Sequence, residues 1–312
     1  MTEDADPLRG PAAELARVVA GDDDTRFALA FQTLFNQAAR FADAEDPVLL
    51  AREAADRSAE RGAPLSVPDL YTDRTYLANL REVVADRRRI VGGVPTSDFP
   101  DCVAVGSATG WCCSGTLVAP GAVVTAAHCA RGGCGQRVFS GEDVKAPGAG
   151  RVVAVREAVV HPSYGSSGPY GDIAVLLLAE PLDTAPRPIA PAGALAGASF
   201  VRLVGYGNTD FQGRAGYGRR RVVDVPLAGR LPGYGAHPDT EFVAGAPGLD
   251  RDSCNGDSGG PAYVSVGDRW LLAGATSRAT DDAVRPCGDG GVYTLVPAYA
   301  EWVGSVVGGL GG

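Results

Sequence analysis

The chain of 312 residues carries 28 Lys and Arg against 37 Asp and Glu, a formal net charge of -9, with 45% hydrophobic and 21% charged residues. That length suffices for one or two domains with a sizeable core, and the acidic balance excludes nucleic acid as the main partner, because phosphate binding needs a basic face. A membrane span needs a run of roughly 18 apolar residues, which the chain lacks, and the 43 Gly and 22 Pro favour turn-rich β architecture over a helix bundle.

The N-terminus, Met1 to Asp6, is acidic and lacks the basic start and apolar run of a secretory signal. All seven cysteines lie at or after Cys102. Such clustering suggests disulfides within one domain and hence an oxidising, extracellular compartment. The two signals conflict, and the sequence leaves the compartment open.

Residues 1–89 hold 17 acidic and 12 basic residues. Asp24 and Thr25 can cap a helix whose apolar positions, Phe27, Phe31, Leu34, Phe35, Ala38 and Phe41, trace one face. Asp46-Pro47 starts a second helix, with Pro in the first turn, running to about Arg61 before Gly62-Ala63-Pro64 breaks it. A third is expected from Pro68 to about Arg88, with Leu70, Leu77, Leu80 and Val84 inward. Residues 1–89 therefore read as a small helical domain, a pro-segment or an interaction module with a partner of its own.

From Ile90 the pattern changes to short apolar runs between Gly, Pro and Ser turns. The runs are Cys102–Val105, Gly115–Val118, Arg151–Val160, Asp172–Leu178, Ser199–Val204 and Trp270–Ala275. Many short strands of this kind predict a sandwich or barrels. Pro297–Val307 reads as a closing helix with Trp302 on its buried side.

Three segments carry chemistry. In Asp252-Ser253-Cys254-Asn255-Gly256-Asp257-Ser258-Gly259-Gly260-Pro261, glycines flank a serine. A Ser hydroxyl is a poor nucleophile alone and needs a base and an oxyanion site; Gly256 and Ser258 can supply two convergent N–H donors. Val124-Thr125-Ala126-Ala127-His128-Cys129 places one of three histidines after an apolar strand. The other two, His161 and His237, precede Pro in turns and read as structural. Gly171-Asp172-Ile173-Ala174-Val175 opens an apolar strand with an Asp. A carboxylate buried there needs partners, and an imidazole N–H is one.

Together these segments resemble the trypsin/chymotrypsin-like serine proteases, with His128, Asp172 and Ser258 in that family's chain order. Arg89-Ile90-Val91-Gly92-Gly93, His161-Pro162-Ser163-Tyr164, Gly205-Tyr206-Gly207-Asn208 and Gly291-Val292-Tyr293 add to the resemblance, which covers residues 90–312. It implies a mainly β fold of two six-stranded antiparallel barrels after the helical domain. It also implies a serine endopeptidase acting on protein or peptide substrates through an acyl-enzyme. His128, Asp172 and Ser258 would be catalytic, and the Gly256 and Ser258 N–H groups the oxyanion hole. No metal or cofactor is called for, and the loop around Glu142 lacks the carboxylates of the family's calcium site.

The resemblance further implies that Asp252 sits at the base of the specificity pocket and selects Arg or Lys, with Gly291 keeping the pocket open. Ser277 matches the family's serine that bonds the triad Asp beside the substrate. Cleavage between Arg89 and Ile90 would free an α-amino group to pair with Asp257, so the chain is expected to be a zymogen. Cys113–Cys129 and Cys254–Cys287 match family disulfides. Cys102, Cys112 and Cys134 remain, and a Cys112–Cys134 bridge with Cys102 free is expected. Two departures stand out. Ser277-Arg278-Ala279 replaces the usual Ser-Trp-Gly, and loop lengths around Cys287 differ, which raises the expectation of an acidic or unusually shaped substrate. A catalytically silent regulatory or binding protein on the same fold is the alternative reading.

Overall fold

The computed structural model describes residues 93–309, apart from 167, 210–215, 230–233, 246–251, 282 and 284–286. The helical domain expected over 1–89, together with Arg89 and Ile90, lies outside the described residues.

The first barrel is built from β2 (Cys102–Gly106), β3 (Trp111–Ala119), β4 (Ala122–Thr125), β5 (Arg137–Ser140), β6 (Arg151–Val160) and β7 (Ala174–Leu178). They close in the order β2-β3-β4-β7-β6-β5, antiparallel throughout. The second uses β8 (Phe200–Gly205), β9 (Arg221–Gly229), β10 (Glu241–Ala244), β11 (Pro261–Val266), β12 (Arg269–Ala279) and β13 (Gly291–Leu295). A β8–β9 pairing closes this ring, and β1 (Val94–Pro95) adds to it along β9. Closure removes the unpaired edges that an open sheet would expose.

The apolar runs read from the sequence supply the cores. Val103, Val105, Leu117, Val123 and Leu176 fill the first barrel. Val201, Leu203, Val225, Phe242 and Tyr293 fill the second. A third cluster draws on both barrels through Val124, Ile173, Tyr206, Tyr263 and Leu272. Every residue of β7 is buried, which explains why this strand reads as a continuous apolar run without alternation. Polar ties cross the same seam. The Tyr263 hydroxyl donates to Asp101 Oδ2 at 2.6 Å, and Arg187 pairs with the same buried carboxylate.

Two short helices matter here: α1 (Ala127–Arg131) and α2 (Ala300–Gly308). The helix expected from Pro297 is split, with a 3₁₀ turn at Val296–Tyr299 before α2. Val303 is its buried residue, whereas Trp302 is half-buried against the His161 ring. Among the described residues no helix is long and apolar enough to cross a membrane.

Candidate active site

β4 ends at Thr125 and the chain turns at once into α1, which carries His128. Five residues cannot sustain a helix alone. Disulfides do the fixing: Cys129 within α1 bonds Cys113, and Cys134 just beyond it bonds Cys112. Both partners are consecutive residues of β3, so the turn bearing His128 is tied to one strand at two points. Cys102 is the free, buried thiol among the described residues.

Asp172 lies in the lead-in to β7, which starts two residues later than expected, at Ala174. It is 3% exposed. Its Oδ1 accepts the backbone N–H of His128 at 2.9 Å, and its Oδ2 lies 2.8 Å from His128 Nδ1. The Ser277 hydroxyl donates to Oδ2 at 2.7 Å, and Thr294 donates to the Asp172 carbonyl at 3.0 Å. Burial alone would raise the pKa of Asp172. The His128 ring and backbone and the Ser277 hydroxyl outweigh burial and bring it below the usual value. An ionised Asp172 keeps the ring hydrogen on Nδ1, which leaves Nε2 as the basic nitrogen.

Ser258 comes to this pair from the second barrel, on a loop braced by the Cys254–Cys287 disulfide. The Ser114 N–H donates to the Ser258 carbonyl at 2.8 Å, and Cys129 Sγ lies 3.6 Å from the same oxygen. The backbone of Ser258 therefore abuts the residue after His128. Gly259 permits this approach. Its φ is +75°, and a Cβ there would fall 2.1 Å from Thr125 Oγ1 and 2.5 Å from the Ala126 nitrogen. The Ser258 hydroxyl makes no hydrogen bond among the described residues; catalytic hydrogen bonds are often long until substrate binds. Neither the Gly256 nor the Ser258 N–H bonds a backbone acceptor among the described residues.

The two neighbouring carboxylates differ from Asp172. Asp257 accepts the Gly207 N–H at 2.8 Å and the Cys254 N–H at 2.9 Å. Burial pushes its pKa up to about 6, and no cation pairs with it among the described residues. Asp252 takes three hydrogen bonds on one oxygen: Tyr293 hydroxyl at 2.7 Å, Ser253 N–H at 2.7 Å and Ser253 hydroxyl at 3.2 Å. Its Oδ2 is unclaimed among the described residues, and burial pushes its pKa up to about 7. Gly291 lies against it: a Cβ there would come within 2.9 Å of Asp252 Oδ1.

Arg278 is partly buried, its side chain 21% exposed. Its guanidinium forks onto Glu241 at 2.7 and 2.8 Å and reaches the Gly235 carbonyl at 2.6 Å. That pairing neutralises the charge and removes the basis for expecting an acidic substrate. Ser277, expected beside the substrate, has its hydroxyl committed to Asp172. Glu241 and Thr294 escaped the sequence reading. A Glu heading the apolar run Phe242–Ala244 was the available signal for the first; nothing marked the second.

The match to known proteins agrees with this geometry. The family model described as Trypsin matches residues 90–303, and the chain belongs to that family of serine endopeptidases. It is similar to a Trypsin of Saccharopolyspora erythraea, 36% identical over 68% of this chain and 95% of the relative. It is also similar to Vitamin K-dependent protein C of Mus musculus, 31% identical over 72% of this chain and 53% of the relative. Chymotrypsin-like elastase family member 1 of Felis catus is 28% identical over 74% of this chain and 94% of the relative.

Proposed function

We propose that the chain is a zymogen whose active form cleaves peptide bonds after Arg or Lys. The observation that carries the catalytic half is the His128–Asp172 pair, doubly bonded on a buried carboxylate with the imidazole partly exposed, and the Ser258 loop packed beside it. His128 Nε2 takes the proton of Ser258 Oγ as that oxygen attacks the peptide carbonyl. The Gly256 and Ser258 N–H groups stabilise the oxyanion. The imidazolium then protonates the leaving amine, and water releases the acyl group by the same steps in reverse roles.

Selectivity for a cation is supported by the free oxygen of Asp252, since a partly buried carboxylate gains most from a guanidinium that brings its own charge. Activation is supported by Asp257, a partly buried carboxylate lacking a cation among the described residues, in a chain that carries Arg89-Ile90. Cleavage there would supply an ammonium and order the loop around Ser258. Residues 1–89 would then be the helical pro-segment, and 90–312 the protease domain.

Labelling with a phosphonofluoridate, before and after cleavage at Arg89, tests both halves. Strong Ser258 labelling is expected only in the processed chain, with Ser258→Ala losing both labelling and roughly 10⁴-fold or more of kcat. A processed chain that stays unlabelled defeats the hydrolase reading and favours the silent binding protein. A peptide-library digest with the same material checks the Arg/Lys preference. Self-processing is a separate expectation: Ser258→Ala precursor alone stays intact and is cut at Arg89 on adding active enzyme.

A further inference from the structure

Glu241 heads β10 and Arg278 lies on β12, with β13 between them. The Glu241 side chain is fully buried, and that of Arg278 is 21% exposed. Besides its fork onto Glu241, Arg278 sends Nη1 to Ser277 Oγ at 3.3 Å. Ser277 Oγ is 2.7 Å from Asp172 Oδ2, and that oxygen is 2.8 Å from His128 Nδ1. One line of polar groups thus runs Glu241–Arg278–Ser277–Asp172–His128. The Tyr170 ring lies 5.6 Å from the guanidinium, and His237 meets Tyr170 edge-on at 5.1 Å.

We propose that Arg278, held by Glu241, is a positioning residue for the Asp172–His128 pair. A hydroxyl that accepts from a guanidinium must direct its own hydrogen elsewhere, and for Ser277 the bonded acceptor is Asp172. The direction of the Ser277–Asp172 bond is therefore fixed. The cationic end of the Arg278–Glu241 pair faces the carboxylate, favours its ionised form and opposes protonation of His128. The pair thereby keeps the imidazole free to act as base at lower pH than an apolar residue at position 278 would. This inference rests on the triad reading above.

Other titratable groups surround the pair. Tyr164, Tyr170 and Arg131 approach from the first barrel and the loop before β7, and Tyr299 from the C-terminal turn. His237 precedes β10 and donates its backbone N–H to Glu241, and His161 packs on Tyr299. Burial raises Tyr164 and Tyr299, away from the acid limb. Burial lowers His161; His237→Gln and His161→Gln remove the other two imidazoles near the pair and serve as controls that must leave the limb in place.

The test uses the full chain processed before Ile90. kcat at saturating peptidyl-arginine amide is followed from pH 5 to 9, because kcat/KM would also carry the ionisation of Asp252, and the His128 Nδ1–H resonance is titrated by NMR. Arg278→Gln leaves Glu241 uncompensated and is expected to move the acid limb up by about 0.5 pH unit. Glu241→Gln leaves the cation uncompensated and moves it down by about as much. Arg278→Lys keeps the charge and stays near wild type. Removing one buried partner can unfold the chain, so the neutral pair Glu241→Gln/Arg278→Leu is measured as well, with a smaller upward shift expected. Limbs that coincide in all folded variants, or Arg278→Gln and Glu241→Gln moving the same way, overturn the proposal. Phosphonofluoridate labelling of wild type separates the failures: an unlabelled Ser258 sinks the triad reading, and a labelled one with unmoved limbs sinks only the role of Arg278.

Discussion

Three aspartates within reach of the same loop region meet three different fates, and partners decide which. Asp172 receives N–H and O–H donors on both oxygens and ionises easily. Asp252 receives its donors on one oxygen and is pushed to about 7 by burial. A guanidinium entering beside Oδ2 needs the ionised form, so binding must release a proton whenever the pH lies below that value. The affinity of a small guanidinium inhibitor for the processed Ser258→Ala chain should therefore fall about fivefold between pH 7 and pH 6. Calorimetry in buffers of different ionisation heat measures both the constant and the proton. Asp252→Asn should bind weakly with no such slope; a flat profile in the parent chain removes Asp252 from the pocket.

Among elements, α1 depends most on its surroundings, because a single turn has almost no helical stability of its own. Cys112–Cys134 spans 22 residues and Cys113–Cys129 spans 16. Replacing Cys112 and Cys134 with Ala should lower the unfolding free energy by ~3 kcal/mol on loop entropy, read from urea midpoints. kcat should change little, since Cys129 still ties the turn to β3. A large loss of kcat at unchanged fold would mean that Cys112–Cys134, and not Cys113–Cys129, places His128. The strands were legible because barrel interiors demand runs such as Ala174–Leu178, and the His128–Asp172 pairing because a carboxylate at the head of an apolar strand needs a donor. Setting the two family pairs aside left Cys102, Cys112 and Cys134 with three ways to pair, so the Cys112–Cys134 bridge was an expectation that elimination alone did not decide. What the sequence hid is pairing across strands. Glu241 and Arg278 are far apart in the chain, and neither carries a local pattern that names the other. The neutralising partner of Arg278 lies on β10, two strands away across the sheet.

At the scale of the molecule, the proposed catalytic groups are divided: His128 and Asp172 belong to the first barrel, Ser258 and Ser277 to the second. Activity then depends on the loop at the seam, where Asp257 is wedged against Gly205 and Gly207. In the uncut chain burial holds the Asp257 carboxyl at about 6, above the ordinary carboxylate value. The folded state therefore binds this proton more tightly than the unfolded state does. Its contribution to stability is full below the unfolded pKa, near 4, and is lost as the pH rises through about 6. Asp257→Asn, which cannot ionise, removes that loss. Urea midpoints of the uncut wild type should decline relative to uncut Asp257→Asn between about pH 4 and pH 6, then run parallel. Processing should reverse the order. An Ile90 ammonium beside Asp257 favours the ionised form, so processed wild type should exceed processed Asp257→Asn at pH 7 and lose the advantage as the α-amino group titrates at about 8 or above. If processing leaves the two pH profiles in their original order, the ammonium does not reach Asp257, and the activation proposal fails.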